Sequence, residues 1–262
     1  MARPPIDGDA LRIALGDRWA RVDVVAETGS TNEDLMQDEA APDRSVLIAE
    51  HQSGGRGRLD RRWESPPGSG LTFSVLFRPA APIPTWGWLP LLAGVALHDA
   101  VSADTGLDLD LKWPNDLLCG PSEEKVAGIL AQTSGEAVVI GIGLNVSTTR
   151  DELPVPAATS LALCGAADVD RTRLLATILT ELDARVAQWS DVDGDAEVCG
   201  LAAAYRAACA TLDRPVAVTT TAGETVVGQA VGIDSDGRLQ IDVDGRVTAV
   251  GAGDVEHLRR PQ

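Results

Sequence analysis

Lysine is nearly absent from this sequence of 262 residues. It has 22 basic residues, but the only lysines are Lys112 and Lys125. Arginine serves wherever a positive charge alone is needed, so a lysine kept in such a background indicates a position that needs a compact ammonium group. The alternative is that both lysines lie on the surface and have no special role.

Other absences exclude whole classes of protein. No apolar run approaches the roughly 18 residues of a membrane span, and the N-terminal residues show no apolar core followed by a cleavage site. The four cysteines form no CxxC pair. We therefore expect a cytoplasmic protein without a membrane partner, whose cysteines are buried free thiols. These are Cys119, Cys164, Cys199 and Cys209.

The charge balance argues against nucleic acid as a partner. The formal net charge is −17, whereas proteins that bind DNA draw their affinity from cationic contacts to phosphates. The segment before Gly29 has four arginines against five acidic residues. It is too short and too acidic for an N-terminal DNA-binding domain, so we expect no DNA partner.

The pattern of the chain changes at Asp213. Before it, helical and strand patterns alternate, which predicts an α/β domain over residues 1–212. After it, short β-rich runs are separated by AGE, DSDG and DG turns, which predicts a small antiparallel barrel over 213–262. In the first domain we predict helices at about 7–16, 85–104, 170–190 and 194–211, and strands at 20–28, 45–52, 71–79, 107–113, 125–133 and 136–146.

Residues 54–63, GGRGRLDRRW, gather positive charge on a glycine-rich segment that we call the arginine loop. Glycines let backbone N–H groups approach a ligand, and arginines offer bidentate partners for phosphate or carboxylate. No GxxxxGK[ST] motif occurs, so this is not a P-loop. Alone, the segment is equally compatible with a solvated surface loop.

Four further motifs are also compatible with a site that binds phosphate or carboxylate. GSTN (29–32) begins a helix, with Ser30 and Glu33 in capping-box spacing. KWPND (112–116) places charged and amide side chains where a strand ends, although Pro-Asn-Asp also suits a simple turn. KVAGIL (125–130) brings a lysine into an apolar strand, which is costly unless the lysine is paired. GIGLN (141–145) ends a strand with two glycines and an asparagine, a weak pattern by itself.

In this order and spacing, GSTN, GRGR, KWPND, KVAGIL and GIGLN resemble the biotin protein ligases, from about residue 27 to the C-terminus. The resemblance implies a mixed-sheet catalytic domain with a C-terminal SH3-like barrel. It also implies dependence on ATP and Mg²⁺, with biotin as substrate and biotinyl-adenylate as intermediate. The acceptor would be a lysine in the biotin carboxyl carrier domain of an acyl- or acetyl-CoA carboxylase. We expect a monomer or a weak homodimer.

The resemblance also assigns roles to individual residues. Catalysis would involve Lys125, Arg56, Arg58 and Asp116, and no residue is assigned to a metal. Biotin would meet Ser30, Thr31, Asn32, Gln52, Gly55, Arg56, Gly57, Arg58, Lys125 and Gly128. ATP and the adenylate would meet Arg58, Trp63, Lys112, Asn115, Gly143 and Asn145.

The arginine loop departs from the family pattern at Leu59-Asp60, where the family often has a glycine in second place. Three other functions remain open from the sequence: a lipoyl or octanoyl ligase of the same broad fold, a transcriptional repressor, and a catalytically inactive biotin-binding or carrier-docking protein. The GRGR and KWPND motifs favour biotin over lipoate. The short N-terminal segment argues against the repressor, and the retained lysines and arginines argue against an inactive protein.

Overall fold

A mixed seven-stranded sheet is the centre of the larger part of the fold. The structure is a computed structural model that describes residues 3–58 and 61–258, so the Leu59-Asp60 departure lies outside the described residues. The strand order is β1-β2-β3-β7-β6-β5-β4. β1 and β2 are parallel, and the other neighbours are antiparallel. The strands are β1 Arg21–Thr28, β2 Ser45–Gln52, β3 Gly70–Phe77, β4 Leu109–Lys112, β5 Asp116–Cys119, β6 Glu124–Ser134 and β7 Ala137–Asn145.

Helices cover the two faces of this sheet unequally. On one face, α3 packs on β4, β5 and β6, and α4 packs on α3 and β3. On the other face, α2 contacts β2, β3 and β7. Being short, α2 leaves part of that face open. The helices are α1 Gly8–Leu15, α2 Thr31–Gln37, α3 Leu89–Thr105, α4 Arg171–Ser190 and α5 Leu201–Ala208.

The central helix α3 is apolar on all sides over its first half, 89–97, as expected for a helix enclosed by sheet and helices. Pro90 lies in its first turn, where backbone N–H groups have no partner within the helix, so the N–H that proline lacks is not needed. Gly106 ends the helix in the left-handed conformation, with φ 70°. Trp86 and Trp88 are buried in a 3-10 turn that precedes the helix, so α3 begins at Leu89 rather than at the predicted 85.

The C-terminal unit is a five-stranded antiparallel sheet with the order β11-β10-β9-β8-β12. It docks on the larger part through two tryptophans: Trp88 Nε1 donates to Ser235 O (2.9 Å) and Trp113 Nε1 donates to Gly237 O (3.2 Å). The predicted fold class, a mixed-sheet α/β domain followed by a small antiparallel β domain, is confirmed. The strands are β8 Pro215–Thr220, β9 Thr225–Ile233, β10 Leu239–Val243, β11 Arg246–Val250 and β12 Gly253–His257.

Three local predictions need correction. Strand β5, whose four residues directly follow the Trp-Pro-Asn turn, was not predicted, and neither was β12. The last helix is shorter than the predicted 194–211, since residues 191–200 form turns. The prediction of four free thiols is wrong for one pair: Cys119 and Cys164 form a disulfide, with Cα atoms 6.7 Å apart, while Cys199 and Cys209 are free. A separation of 45 residues gave no sequence signal for this pairing.

Within the described residues, no helix has the length and apolarity needed to cross a membrane.

The packing around α3 makes a stability prediction. Leu92 is fully buried in α3, whereas Ile13 on α1 is 83% exposed. We expect Leu92→Ala to lower the free energy of unfolding by about 2–5 kcal/mol through lost burial and a residual cavity. Ile13→Ala should change it by no more than about 0.5 kcal/mol. Urea denaturation measures both values, and similar losses for the two variants would contradict this description of the core.

Candidate functional site

A cavity of about 520 Å³ opens on the face of the large sheet that α2 leaves uncovered. Its lining comes from α2, β2, the arginine loop, β3, β5, β6, β7 and the segment 154–158, together with β12 of the C-terminal unit. All the predicted site residues line it except Gly55 and Lys112. The predicted residues that it brings together are Ser30, Thr31, Asn32, Gln52, Arg56, Gly57, Arg58, Trp63, Asn115, Asp116, Lys125, Gly128, Gly143 and Asn145.

One end of the cavity, here called the uncharged end, is lined by the uncharged hydrogen-bonding side chains of Ser30, Thr31, Asn32 and Gln52. Ser30 caps α2, with its Oγ accepting from Glu33 N at 3.5 Å. The second hydrogen bond of the predicted capping box would run from the Ser30 backbone N–H to the Glu33 carboxylate. That carboxylate pairs with Arg56 instead, at 2.7 Å. Thr31 N donates to Gln52 Oε1 (2.8 Å), which ties the start of α2 to the end of β2. These groups therefore form a fixed polar surface.

The glycines of the GIGLN motif make room for this surface. Gly141, Gly143 and Asn145 share one face of β7, since side chains alternate along a strand. A Cβ at Gly141 would overlap the Asn32 carboxamide, and one at Gly143 would overlap the Trp63 indole. Both positions therefore require glycine.

The other end of the cavity is cationic. Lys125 at the start of β6 forms an ion pair with Asp116 (Nζ to Oδ1, 2.6 Å). Its Nζ lies 6.0 Å from the centroid of the Trp63 ring. A Cβ at Gly128 would lie 3.1 Å from that same Nζ. The lysine is thus enclosed by a carboxylate, an indole and a glycine that leaves it space.

The two described arms of the arginine loop, 54–58 and 61–63, are hydrogen-bonded to each other and both contribute to the cavity lining. Gly57 N donates to Arg61 O (2.7 Å), and Trp63 N donates to Gly55 O (3.0 Å). A Cβ at Gly55 would overlap the Trp63 carbonyl, so this glycine permits the close approach of the two arms rather than lining the cavity. Arg61 pairs with Asp254 of β12, which connects the loop to the C-terminal unit.

Arg58 is the most enclosed arginine of the loop's first arm. Burial of its guanidinium lowers the pKa of Arg58 from its ordinary value, and the carboxylates of Asp116 and Asp254 oppose that shift. Among residues 3–58 and 61–258, no carboxylate lies within 4.0 Å of it. A partly desolvated cation in this position favours an anionic ligand.

Lys112 is separated from the cavity although it belongs to the KWPND motif. It ends β4, and its charge acts on His257 instead. Burial is the main cause that lowers the pKa of His257, with Lys112 contributing to the lowering, while the hydrogen bond to Glu123 opposes it. His257 itself contacts Glu123 (2.9 Å) and Thr211 (3.1 Å).

Asn115 and Asn145 each donate one side-chain amide hydrogen to a backbone carbonyl. Asn115 Nδ2 donates to Ile129 O (3.0 Å), and Asn145 Nδ2 donates to Thr159 O (2.9 Å). Each keeps a second amide hydrogen and a carbonyl oxygen available. Both side chains are therefore fixed in orientation.

Sequence reasoning missed several lining residues. Arg61 and Arg62 carried a signal, as they belong to the charged loop. Gly253 and Asp254 carried no such signal, because they belong to the C-terminal domain, whereas all the site motifs lie in the first domain. The remaining ones are Glu64, Thr72, Phe73, Ile129, Leu130, Gly141, Ile142, Pro154, Val155 and Ala158.

The cavity has no ready-made metal site. In the described part of the chain, no three His, Cys, Asp or Glu side chains gather to hold a metal ion. A Mg²⁺ ion needs only one or two carboxylates when substrate phosphates and waters supply its other ligands. The cavity carboxylates Asp116 and Glu64 fit that arrangement.

Two family models match separate parts of this chain. The model of the biotin/lipoate A/B protein ligase family matches residues 22–146. The biotin protein ligase C-terminal domain matches residues 211–258. Among solved structures, a biotin protein ligase from Aquifex aeolicus in complex with biotin and ATP superposes with a TM-score of 0.77 at 26% identity, covering 92% of this chain and 100% of that one.

Curated relatives match over most of their length. The bifunctional ligase/repressor BirA of Bacillus subtilis is 31% identical, over 92% of this chain and 74% of its own. The biotin–[acetyl-CoA-carboxylase] ligase of Mycobacterium tuberculosis is 45% identical, over 98% of this chain and 97% of its own. With that identity over nearly its full length, the chain belongs to the biotin protein ligase family.

Proposed function

We propose that this protein is an ATP-dependent ligase that activates biotin as biotinyl-5′-adenylate and transfers it to a lysine of a biotin carboxyl carrier domain. The observation that carries the proposal is the polarity of the cavity, which joins an uncharged hydrogen-bonding end to a cationic end. Biotin has the matching polarity, with a cyclic urea at one end and a carboxylate at the other. The Mycobacterium tuberculosis relative has the same activity in its name.

The residues suit each part of the substrates. The urea ring would lie against Ser30, Thr31, Asn32 and Gln52, and the carboxylate would reach Lys125. The adenine would stack beside Trp63, in the space that Gly143 leaves open. A cavity of about 520 Å³ is in the range that encloses a ligand of this size.

Charge is the main obstacle to the first half-reaction. A carboxylate oxygen of biotin must attack the α-phosphorus of ATP, forming the acyl–phosphate bond as pyrophosphate leaves. Both reactants are anions, so preorganised cations that offset their repulsion are the main catalytic resource. Lys125, Arg56 and Arg58 supply these cations. Mg²⁺, bound with ATP and next to Asp116 or Glu64, would draw negative charge from the leaving pyrophosphate.

The second half-reaction requires an adenylate protected from water. The arginine loop lies over the cavity and can shield the mixed anhydride until the carrier arrives. The acceptor lysine then attacks the acyl carbon, forming the amide as AMP leaves. Asp116 can orient the incoming amine, because its carboxylate already holds one ammonium group, that of Lys125.

The direct test is transfer to a carrier. We expect that incubation with biotin, ATP and Mg²⁺ increases the mass of an acyl-CoA carboxylase carrier domain by one biotinyl group, and that omission of ATP prevents this. Lipoate in place of biotin is the control for the related ligase activity. A carrier that gains a lipoyl group and no biotinyl group would contradict the proposal.

The enclosure of Lys125 predicts that its charge alone is insufficient. We expect Lys125→Arg to slow biotin-dependent pyrophosphate exchange about 100-fold, since losing one well-placed donor to a developing oxyanion costs about 3 kcal/mol. The longer planar guanidinium does not fit between Asp116, Gly128 and the Trp63 ring.

The matched control is Arg246→Lys, which also keeps its charge, on the exposed strand β11. It should leave the rate unchanged, and melting temperature checks folding in both variants. A Lys125→Arg rate within about threefold of the parent would mean that only charge matters at this position.

The contact between Gly143 and Trp63 predicts a nucleotide-binding defect. In Gly143→Ala the new methyl group displaces the indole, so we expect the KM for ATP to rise about tenfold or more, on the scale of one lost aromatic stacking contact. Gly251→Ala, in the turn before β12, is the control, because its Cβ would lie in ordinary van der Waals contact, 3.5 Å from Arg238 Cγ. An unchanged KM for ATP in Gly143→Ala would remove Trp63 from the nucleotide site.

A further inference from the structure

A fully buried serine connects two of the side chains that line the uncharged end of the cavity. Ser74 lies on β3 with none of its surface exposed. Its Oγ is 2.6 Å from Thr31 Oγ1 and 2.6 Å from Asn32 Oδ1. Ser74 does not line the cavity itself. Any effect it has on a ligand must pass through these two neighbours.

The orientation of Asn32 is fixed by its other contacts. Asn32 Nδ2 donates to Leu130 O (3.2 Å) and to Gln132 Oε1 (2.8 Å). A backbone carbonyl can only accept, so the nitrogen of the carboxamide must lie on that side, and both of its hydrogens are used. The oxygen therefore faces Ser74. Because that oxygen can only accept, Ser74 must donate its single hydroxyl proton to Asn32.

The direction of the Thr31 hydroxyl follows from that of Ser74. With the Ser74 proton committed to Asn32, the 2.6 Å contact between the two hydroxyls requires that Thr31 donates to Ser74. Thr31 Oγ1 also lies 3.0 Å from Gln52 Oε1. Its single proton is donated in the shorter contact, to Ser74 Oγ at 2.6 Å. Gln52 Oε1 accepts from Thr31 N instead, at 2.8 Å.

We propose that Ser74 is a positioning residue that sets ligand specificity by holding the Thr31 hydroxyl as a hydrogen-bond acceptor toward the cavity. The proton of Thr31 is used within the protein, so only a lone pair is presented to the ligand. The site then favours a ring N–H, as in a cyclic urea, and disfavours a ring oxygen, which has nothing to donate. This inference rests on the proposed function, since it concerns how biotin is recognised.

The test uses biotin and the two cyclic carbamate analogues in which an oxygen replaces one of the ring N–H groups. In the parent protein, we expect the analogue altered at the nitrogen facing Thr31 to bind at least about tenfold more weakly than biotin, because it leaves a buried acceptor unpaired. In Ser74→Ala, the Thr31 hydroxyl can turn and donate to the ring oxygen. The ratio of the dissociation constant of this analogue to that of biotin should then fall below about threefold.

A matched control separates this role from simple packing. Ser45 on β2 is also fully buried, and its hydroxyl donates to Pro42 O at 2.7 Å, outside the cavity lining. Ser45→Ala should keep the parent ratio. Calorimetry measures the dissociation constants, and melting temperature checks folding. Ser74→Cys, whose thiol is a weak donor, should also reduce the ratio and serves if the alanine variant is unstable.

The outcomes are distinguishable. A parent protein that binds both analogues as tightly as biotin, or a Ser74→Ala variant that keeps the parent ratio, overturns the role of Ser74. A weaker affinity of Ser74→Ala for all three ligands with an unchanged ratio also overturns it, because that is the result of a purely structural role. A parent protein that does not bind biotin overturns the proposed function instead.

Discussion

Positive charge must be held around an open cavity before any anionic ligand arrives, and three carboxylates make this possible. Glu33 of α2 holds Arg56, Asp116 of β5 holds Lys125, and Asp254 of β12 holds Arg61. All three ion pairs limit repulsion among the cations, and two of them, those of Arg56 and Arg61, also fix the arginine loop to α2 and β12. An incoming carboxylate or phosphate competes with these acids, so ligand binding and loop attachment draw on the same charges.

The parts of the site that could be predicted from the sequence are those whose chemistry is local. GSTN begins a helix, the arginine loop concentrates charge, and KVAGIL and GIGLN are strands with glycines at positions that face the cavity. The parts that could not be predicted depend on distant pairing. Asp254 reaches the site only because β12 pairs with β8, and the Cys119–Cys164 disulfide depends on contact between segments far apart in the chain.

Composition alone did not distinguish the two lysines. Lys125 lies in the cavity in contact with Asp116, whereas Lys112 lies outside the cavity lining, on a strand of the same sheet. Register does not separate them, since Lys112 pairs directly with Asp116 across β4 and β5. The Asp116 carboxylate instead pairs with Lys125 of β6, the other neighbour of β5. The scarcity of lysine indicated that a special position existed, and the side-chain contacts in the structure identify it as Lys125.

The docking of the C-terminal unit through Trp88 and Trp113 bears on whether the two parts of the chain are separable. Both indoles are almost fully buried, and each N–H donates to a carbonyl of the turn between β9 and β10. Truncation before β8 would expose two large apolar rings beside α3 and the 112–116 segment, and would also remove Asp254 from the arginine loop. The small sheet therefore serves the larger part of the fold in two ways, as the cover of two buried indoles and as one wall of the cavity.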